Sequence, residues 1–201
     1  MVSLPEAGAE SRSRVRIRMR EKQSLLMELD KLKAVYRRAY LSDGSRNENS
    51  AEHSWHLAVA LMVFREVIPE SVDLDHAIRL ALVHDICEIG AGDISVYDAR
   101  RSEQAKAEGE YMASFEERHG GFGKSAAALW REYEDQASEE SKWVKALDRL
   151  LPFLMNLATQ GRTWKEQDVR RSQVVELNKG VGDVLPEVFE WMKREMDAAV
   201  R

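Results

Sequence analysis

The chain is 201 residues long, 44% hydrophobic and 32% charged, and its 35 acidic residues outnumber its 30 Lys and Arg, giving a net charge of −5. This balance argues against a protein that binds nucleic-acid polymers, whose contact surface is usually basic. The single cysteine, Cys87, excludes an intrachain disulfide and a cysteine-rich zinc site, and it fits a reducing compartment. Because no run of about 18 apolar residues and no apolar secretory segment occurs, we expect a cytoplasmic protein without membrane contact.

The first 21 residues are polar and carry arginine at every second position from Arg12 to Arg20. This pattern predicts a flexible N-terminal tail over residues 1–21; an arm that grips a phosphate-bearing partner or a second subunit is the alternative. Residues 22–201 are expected to form one domain with a C-terminal helix, because a chain of this length usually folds as a single domain.

Apolar residues recur at helical spacing through most of the remaining chain. Helices are predicted over residues 23–40, 51–67, 77–88, 102–119, 124–133, 139–159 and 187–200. Asp75 is the expected cap of the helix that contains residues 77–88, and Gly120 and Gly121 are expected to end the helix before them. No segment alternates apolar and polar residues as a half-buried strand does. The sequence therefore predicts an all-α fold.

The helix predicted over residues 77–88 is apolar on nearly every side, yet it ends on side chains that can bind metals. His84, Asp85 and Glu88 stand in its last turns, and burying them is unfavourable unless they are paired or metal-bound. Taken alone, His84 and Asp85 are more typical of a hydrogen-bonded core pair. The metal hypothesis therefore needs ligands from elsewhere in the chain.

Two other predicted helices offer such ligands. Asp148 falls on the apolar stripe of the helix over residues 139–159, where a carboxylate is expected to be metal-bound, to cap a helix or to pair with an internal arginine. His53 stands in the first turn of the helix over residues 51–67. His56, three positions later, is more typical of a solvent-facing or core histidine.

A mixed histidine and carboxylate site contributed by three helices would consist of His53, His84, Asp85 and Asp148. Such a set suits Mn, Co, Fe, Mg or Zn and leaves coordination positions for water and substrate. Glu88 lies one turn after His84 and could hold a metal-bound water or transfer its proton. Asp93 could fold back over the site as a further carboxylate or help Glu88 to hold a second metal.

The order of these residues resembles the H…HD…D signature of the HD-domain metal-dependent phosphohydrolases. Three segments are similar to the branch formed by bacterial 5'-deoxynucleotidases and eukaryotic HD domain-containing protein 2: residues 46–54 (RNENSAEHS), 84–93 (HDICEIGAGD) and 139–148 (EESKWVKALD). The similarity covers about residues 25–159. It implies an HD-domain helical bundle with the metal site at the centre of the helical core. It also implies a homodimer, for which Trp130 and Trp191 are expected to be exposed contacts.

The resemblance implies roles for individual residues, and it matches the metal ligands to His53, His84, Asp85 and Asp148. Glu88 matches the catalytic glutamate, and Asp93 matches a residue that contacts the sugar or a second metal. Arg37 aligns with a catalytic arginine that orients the substrate phosphate. The branch often has tryptophan after that arginine, whereas this chain has Arg38, which leaves substrate preference open. Contacts with the substrate are expected from Arg37, Arg38, Asp85, Asp93, Ile94, Ser95, Val96 and Asp148.

The activity implied by the resemblance is metal-dependent hydrolysis of deoxyribonucleoside 5'-monophosphates to deoxynucleoside and phosphate. Alternatives are an HD hydrolase of another nucleotide or phosphate ester, such as a dNTP, and a non-catalytic module that binds metal or nucleotide. A helical module whose buried polar residues form a network without metal is a third. A triphosphate needs several extra cations, and near Asp93 the sequence offers only Arg100 and Arg101. Arg46 could face the phosphate, or it could be a loop residue bonded to Glu48 or Glu52.

Overall fold

The structure is a computed structural model that describes residues 7–98 and 100–199, with side chains described for residues 18–98 and 100–196. The predicted all-α class is confirmed, apart from one small antiparallel sheet. In chain order the elements are α1 (Ala7–Asp30), a 3-10 helix (Lys31–Ala34), β1 (Tyr36–Tyr40), β2 (Asn47–Asn49), α2 (Ser50–Val63), α3 (Leu74–Val83), α4 (Glu88–Ala91), α5 (Arg101–Asp135), α6 (Glu139–Ala158), α7 (Arg162–Glu166), α8 (Arg171–Leu177), α9 (Lys179–Val184) and α10 (Pro186–Ala199).

The main core lies around α6, which packs against α2, α3, α9 and α10. Val144 and Leu147 of α6 are fully buried, as are Leu57 and Leu61 of α2 and Leu80 of α3. Burial of each of these leucines contributes about 2 kcal/mol. Because α2, α6 and the turn after α3 also carry the candidate ligands, the packing that forms the core also fixes the ligands.

A smaller apolar cluster joins α5 to the end of α3 and to α1. The helix α5 is kinked at Gly120 (φ 52°, ψ −121°), so the predicted break at this glycine is confirmed. Glu28 of α1 accepts hydrogen bonds from Tyr111, Arg118 and His119 beside the kink. Burial acts to raise the pKa of Glu28, but these donors outweigh burial and lower the pKa to about 2.

The prediction of one helix over residues 23–40 is wrong beyond Asp30. The chain tightens into the 3-10 helix and then forms β1, with Tyr36 opposite Asn49 in the antiparallel pair with β2. Aromatic side chains fit a pleated strand, and Gly44, at φ 69°, closes the turn between the two strands. The apolar spacing continues into β1, but pairing with the next strand, β2, decides the conformation.

Residues 7–21 of the expected tail belong to α1, whose helix begins at Ala7. Residues 1–6 lie outside the described residues. The boundary between tail and domain, placed at residues 21 and 22, stays a prediction.

The helix predicted over residues 77–88 is interrupted, and its cap is Asp73 rather than Asp75. The Asp73 side chain accepts a hydrogen bond from the backbone N–H of His76 at 3.1 Å. The helix α3 ends at Val83, and residues 84–87 form tight turns before α4. These turns matter for the site, because they carry both His84 and Asp85.

The expected exposure of Trp130 and Trp191 is wrong, since both side chains are half-buried. The Trp191 ring packs against Phe153, with 6.1 Å between ring centroids. Trp55 of α2, by contrast, is 64% exposed. No helix among the described residues combines the length and the apolar character needed to cross a membrane.

Candidate metal centre and active site

Five parts of the chain converge on one buried group of ionisable side chains. They contribute Arg37 (β1), His53 (α2), His84 and Asp85 (the turn after α3), Glu88 (the start of α4) and Asp148 (the middle of α6). The first turn of α2 is held by a capping box, in which Asn49 accepts from the Glu52 N–H at 3.0 Å and Glu52 accepts from the Asn49 N–H at 3.1 Å. This cap fixes the position of His53.

His53, His84 and Asp148 form a potential metal-binding group. Each offers one ligand atom, all of these atoms lie within 4.8 Å of one another, and all three residues are buried. The fourth predicted ligand, Asp85, lies beside them, with its Oδ1 3.0 Å from His84 Nε2. Its other oxygen, Oδ2, accepts a hydrogen bond from Arg37 Nη1 at 2.8 Å. The structure therefore brings the four predicted ligands together.

His84 provides the test of whether this group fits a metal. Its Nδ1–H donates to the Ala81 carbonyl at 2.8 Å, so the lone pair is on Nε2. That buried nitrogen lacks hydrogen-bond geometry to any described residue, yet it lies 3.0 Å from Asp85 Oδ1 and 3.9 Å from Asp148 Oδ1. Burial lowers the pKa of His84 despite these carboxylates, which favours the neutral ring. The lone pairs suit a divalent cation.

His53 carries the charge that balances Asp148. Its Nε2 lies 2.9 Å from Asp148 Oδ1, and its Nδ1 lies 3.4 Å from Glu48 Oε2. Burial and the charge of Arg37 oppose protonation, but the two carboxylates outweigh them and raise the pKa of His53 to about 9. A metal at Nε2 would replace this proton, while the Glu48 carboxylate would remain beside Nδ1.

Asp148 is oriented by residues that the sequence analysis missed. Tyr133 donates its hydroxyl to Asp148 Oδ2 at 2.7 Å, and Lys145 Nζ donates to the Tyr133 oxygen at 3.0 Å. Burial acts to raise the pKa of Asp148, but His53 and Arg149 hold it well below its usual range. Lys145 could have been noticed as a lysine one helical turn before Asp148. Tyr133 comes from another helix and gives no such signal.

Arg37 and Glu88 complete the charged group. Arg37 Nη1 lies 4.0 Å from Glu88 Oε1, and Arg37 Nη2 lies 4.0 Å from Asp148 Oδ1. Glu88 is buried and its Oε2 accepts a hydrogen bond from the Ser50 hydroxyl. Burial and the nearby Asp85 raise the pKa of Glu88 well above its usual range. A carboxyl group in this environment is suited to hold and release a proton.

Two cavities meet at this group. The smaller contacts the candidate ligands His84, Asp85 and Asp148 and encloses about 470 Å³ including its mouth. The larger encloses about 630 Å³ including its mouth and lies between β1, the loop after α4, α6 and α7. Its lining includes the predicted substrate contacts Arg37, Arg38, Asp93, Ile94, Ser95, Val96 and Asp148. The larger cavity is therefore the space that the predicted pocket segment borders.

The sequence profile of the HD domain matches residues 29–189. The chain belongs to the HD-domain family. The family assignment and the helical core around the candidate ligands agree with the resemblance described above.

Several known proteins are similar to this chain, over different fractions of its length. A crystal structure of a predicted metal-dependent phosphohydrolase from Magnetospirillum magnetotacticum MS-1 is 34% identical, covers 92% of this chain and 93% of its own, and has a TM-score of 0.84. The 5'-deoxynucleotidase HDDC2 of Mus musculus is 38% identical over 109 residues, which is 51% of each chain. The human protein of the same name is 35% identical over 111 residues, 52% of this chain and 50% of its own. The chain thus spans about half the length of these curated relatives.

Two remaining sequence-based alternatives are settled by the geometry of this HD domain. Arg46 donates to both carboxylate oxygens of Glu52, at 2.8 and 2.6 Å, so the interpretation as a loop residue is confirmed. His56 is half-buried, with its Nδ1 4.0 Å from Glu48 Oε1, and it is absent from the group of potential ligands among the described residues. Glu48, considered in the sequence only as a partner of Arg46, lies close to His53 and Arg37 instead.

Proposed function

We propose that this HD domain is a metal-dependent phosphohydrolase that releases phosphate from deoxyribonucleoside 5'-monophosphates. The observation that carries the proposal is the buried Nε2 of His84, which has no hydrogen-bond partner among the described residues and lies beside carboxylate oxygens at the smaller cavity. The similarity to proteins named 5'-deoxynucleotidase supports the choice of substrate.

We propose His53, His84, Asp85 and Asp148 as ligands of one divalent ion, which could be Mn, Co, Fe, Mg or Zn, with Glu88 and Asp93 as ligands of an additional ion. When bound, the metal would polarise a phosphoryl oxygen and lower the pKa of water. Glu88 would take the proton of the attacking water through Oε1, since Oε2 is occupied by the Ser50 hydroxyl. Arg37 would hold the phosphate close to Glu88.

The larger cavity would receive the deoxynucleoside. Ile94, Ser95 and Val96 border this cavity, and Asp93 lies where the two cavities meet. A carboxylate at this point can accept a hydrogen bond from a sugar hydroxyl. Arg38, which replaces the tryptophan of related sequences, is exposed at the cavity and would contact the base through its planar guanidinium.

The proposal is tested by measuring phosphate release from dNMPs, NMPs, dNTPs and cyclic dinucleotides, each with Mn, Co, Mg and Zn. We expect turnover of dNMPs, total loss in Asp148→Ala, and a kcat about 10²- to 10⁴-fold lower in Glu88→Gln. Glu110→Gln is the matched control, because Glu110 is an exposed glutamate of α5. Full activity of Glu88→Gln would exclude the proton role.

The same panel separates the alternatives. Turnover of dNTPs without dNMPs would indicate a hydrolase of another nucleotide. Bound metal without any turnover would indicate a non-catalytic module. Absence of bound metal, with no stabilisation by Mn or Co, would indicate a hydrogen-bonded network alone. Equal rates with ribo- and deoxyribonucleotides would contradict sugar discrimination by Asp93.

We further propose that the protein is a cytoplasmic homodimer that does not bind nucleic-acid polymers. The exposed apolar side chains Trp55, Met62 and Val63 lie on one side of α2 and suit a subunit contact. Light scattering after gel filtration would test the dimer, and a shift to monomer is expected for Trp55→Glu.

A further inference from the structure

Arg149 lies where the two cavities meet. It follows Asp148 on α6, it is half-buried, and it borders both the smaller cavity at the metal centre and the larger cavity. Sequence spacing puts Arg149 about 100° from Asp148 around the helix, so it was not predicted to take part in the site. In the fold the long side chain nevertheless reaches both cavities.

The charge of Arg149 acts on the neighbouring Asp148 at longer range, without a direct contact. Among residues 18–98 and 100–196, no side chain forms an ion pair within 4.0 Å or a hydrogen bond with its guanidinium. Arg37 differs, because it contacts Asp85 at 2.8 Å and lies 3.7 Å from Glu48 and 4.0 Å from Glu88. The positive charge of Arg37 is largely used to balance these carboxylates. Arg149 is therefore a cation at this junction whose guanidinium makes no direct contact with a carboxylate among residues 18–98 and 100–196.

A phosphate group is the ligand that fits this position best. A phosphate monoester has to place its phosphorus atom in the smaller cavity, near Glu88 and Asp148, and its nucleoside in the larger cavity. The dianionic phosphate would then lie at the boundary between the cavities, where Arg149 is. Guanidinium groups bind two phosphate oxygens at once, and binding of an anion offsets the cost of burying an unpaired arginine.

We propose that Arg149 binds the phosphate of the substrate directly and is a specificity residue for phosphate monoesters. This assignment rests on the proposed function and extends it to a residue outside the matched motifs. Arg149 approaches the phosphate from α6, whereas Arg37 approaches from β1. Two arginines from different elements would fix the phosphate beside the water that Glu88 activates.

The test is calorimetric binding of inorganic phosphate to the Mn²⁺-loaded protein. Arg149→Met keeps the length of the side chain and removes its charge, and it should weaken phosphate binding about 10- to 100-fold. Arg149→Lys should recover part of the loss, because it keeps the charge without the planar pair of donors. Arg79→Met, at an exposed position of α3, is the matched control and should bind phosphate as the unchanged protein does. Thermal unfolding of each variant verifies that it is folded.

Either of two binding results would overturn the assignment. One is equal phosphate affinity in Arg149→Met and the unchanged protein. The other is a selective loss of deoxynucleoside binding in Arg149→Met, which would place the guanidinium at the base. Failure of the proposed function would be distinguishable: phosphate binding that depends on Arg149, without turnover of any dNMP, would retain the phosphate site and reject the phosphomonoesterase. Turnover with an unchanged KM in Arg149→Met would reject the phosphate contact and retain the enzyme.

Discussion

Replacing Tyr133 by phenylalanine removes the hydroxyl group that contacts the candidate metal ligand Asp148. This hydroxyl donates to Asp148 Oδ2 at 2.7 Å and accepts from Lys145 Nζ at 3.0 Å. The ring is buried, so the aromatic packing around it should persist in the variant. Two groups lose their partner: a carboxylate oxygen of Asp148 and the ammonium of Lys145, whose next acceptor, Glu134 Oε1, is 3.7 Å away.

A hydrogen bond to a buried carboxylate contributes about 1.5–3 kcal/mol. When this energy serves to orient a ligand, its loss corresponds to about a 10- to 100-fold weaker affinity for the metal. We expect Tyr133→Phe to bind Mn²⁺ more weakly by that factor and to be less stable by about 1–2 kcal/mol without metal. Calorimetric titration with Mn²⁺ and urea denaturation measure the two effects separately.

Tyr40→Phe is the matched control, because the Tyr40 hydroxyl donates to Glu166 at an exposed position. It should change the affinity for Mn²⁺ by less than about twofold, since exposed pairs contribute little. Unchanged or tighter metal binding in Tyr133→Phe would refute the reasoning. It would mean that the hydroxyl only reduces the negative charge of Asp148 and does not orient it.

Three further predictions concern stability. Glu28→Gln should lower the free energy of unfolding by about 1–2 kcal/mol at pH 7. Because the folded-state pKa of about 2 is below the usual 4.5, this stabilisation is present above pH 4.5 and is lost as the pH falls towards 2. Denaturation should therefore show a large difference in stability between the two proteins at pH 7 and a much smaller one at pH 3. Gly90→Ala should lower the free energy of unfolding by about 1–3 kcal/mol, because the new Cβ would lie 2.1 Å from the Tyr111 ring. Gly180→Ala is the control: its Cβ would have nothing within 4 Å, so it should be neutral or slightly stabilising. Equal thermal midpoints of the two variants would contradict the clash. Asn49→Ala removes the cap of α2 and should cost about 1 kcal/mol in urea denaturation, with Asn49→Asp close to the unchanged protein.

The candidate ligands could be found from the sequence because each stands within or next to an apolar helical segment, which shows that it is buried. Asp148 stands on an apolar stripe of α6, and a carboxylate in that position needs a partner, whatever the rest of the fold. His84 and Asp85 follow directly after an apolar helix, so they too are expected to be buried and to need partners. Helical spacing also gave the position of α6 to within one residue, since the predicted 159 compares with an observed end at Ala158.

The parts that the sequence did not reveal depend on contacts between separate elements of the fold. The strand β1, which carries Arg37, has only five residues and exists because it pairs with β2. The apolar spacing of α1 continues into it and conceals the change. Tyr133 and Asp148 meet only after α5 and α6 have packed, and no local pattern reports a hydrogen bond between them.

The turn after α3 shows a further limit. Apolar spacing continues through residues 77–88, although the helix ends at Val83. Neighbouring side chains on a regular helix point about 100° apart, but the tight turns bring His84 Nε2 and Asp85 Oδ1 to 3.0 Å. A pattern of apolar residues reports burial at such a point and does not report the local change in backbone geometry.

His53 and Asp148 are 95 positions apart in the chain, and this separation affects how long the protein would survive in a cell. An ion held by both residues would close a long loop between the first and the last helix of the site and would bind only the folded chain. Metal supply would then control the population of opened molecules that proteases can attack. A cell short of the metal would lose the protein itself as well as its activity, so its abundance would follow metal supply without any dedicated regulator.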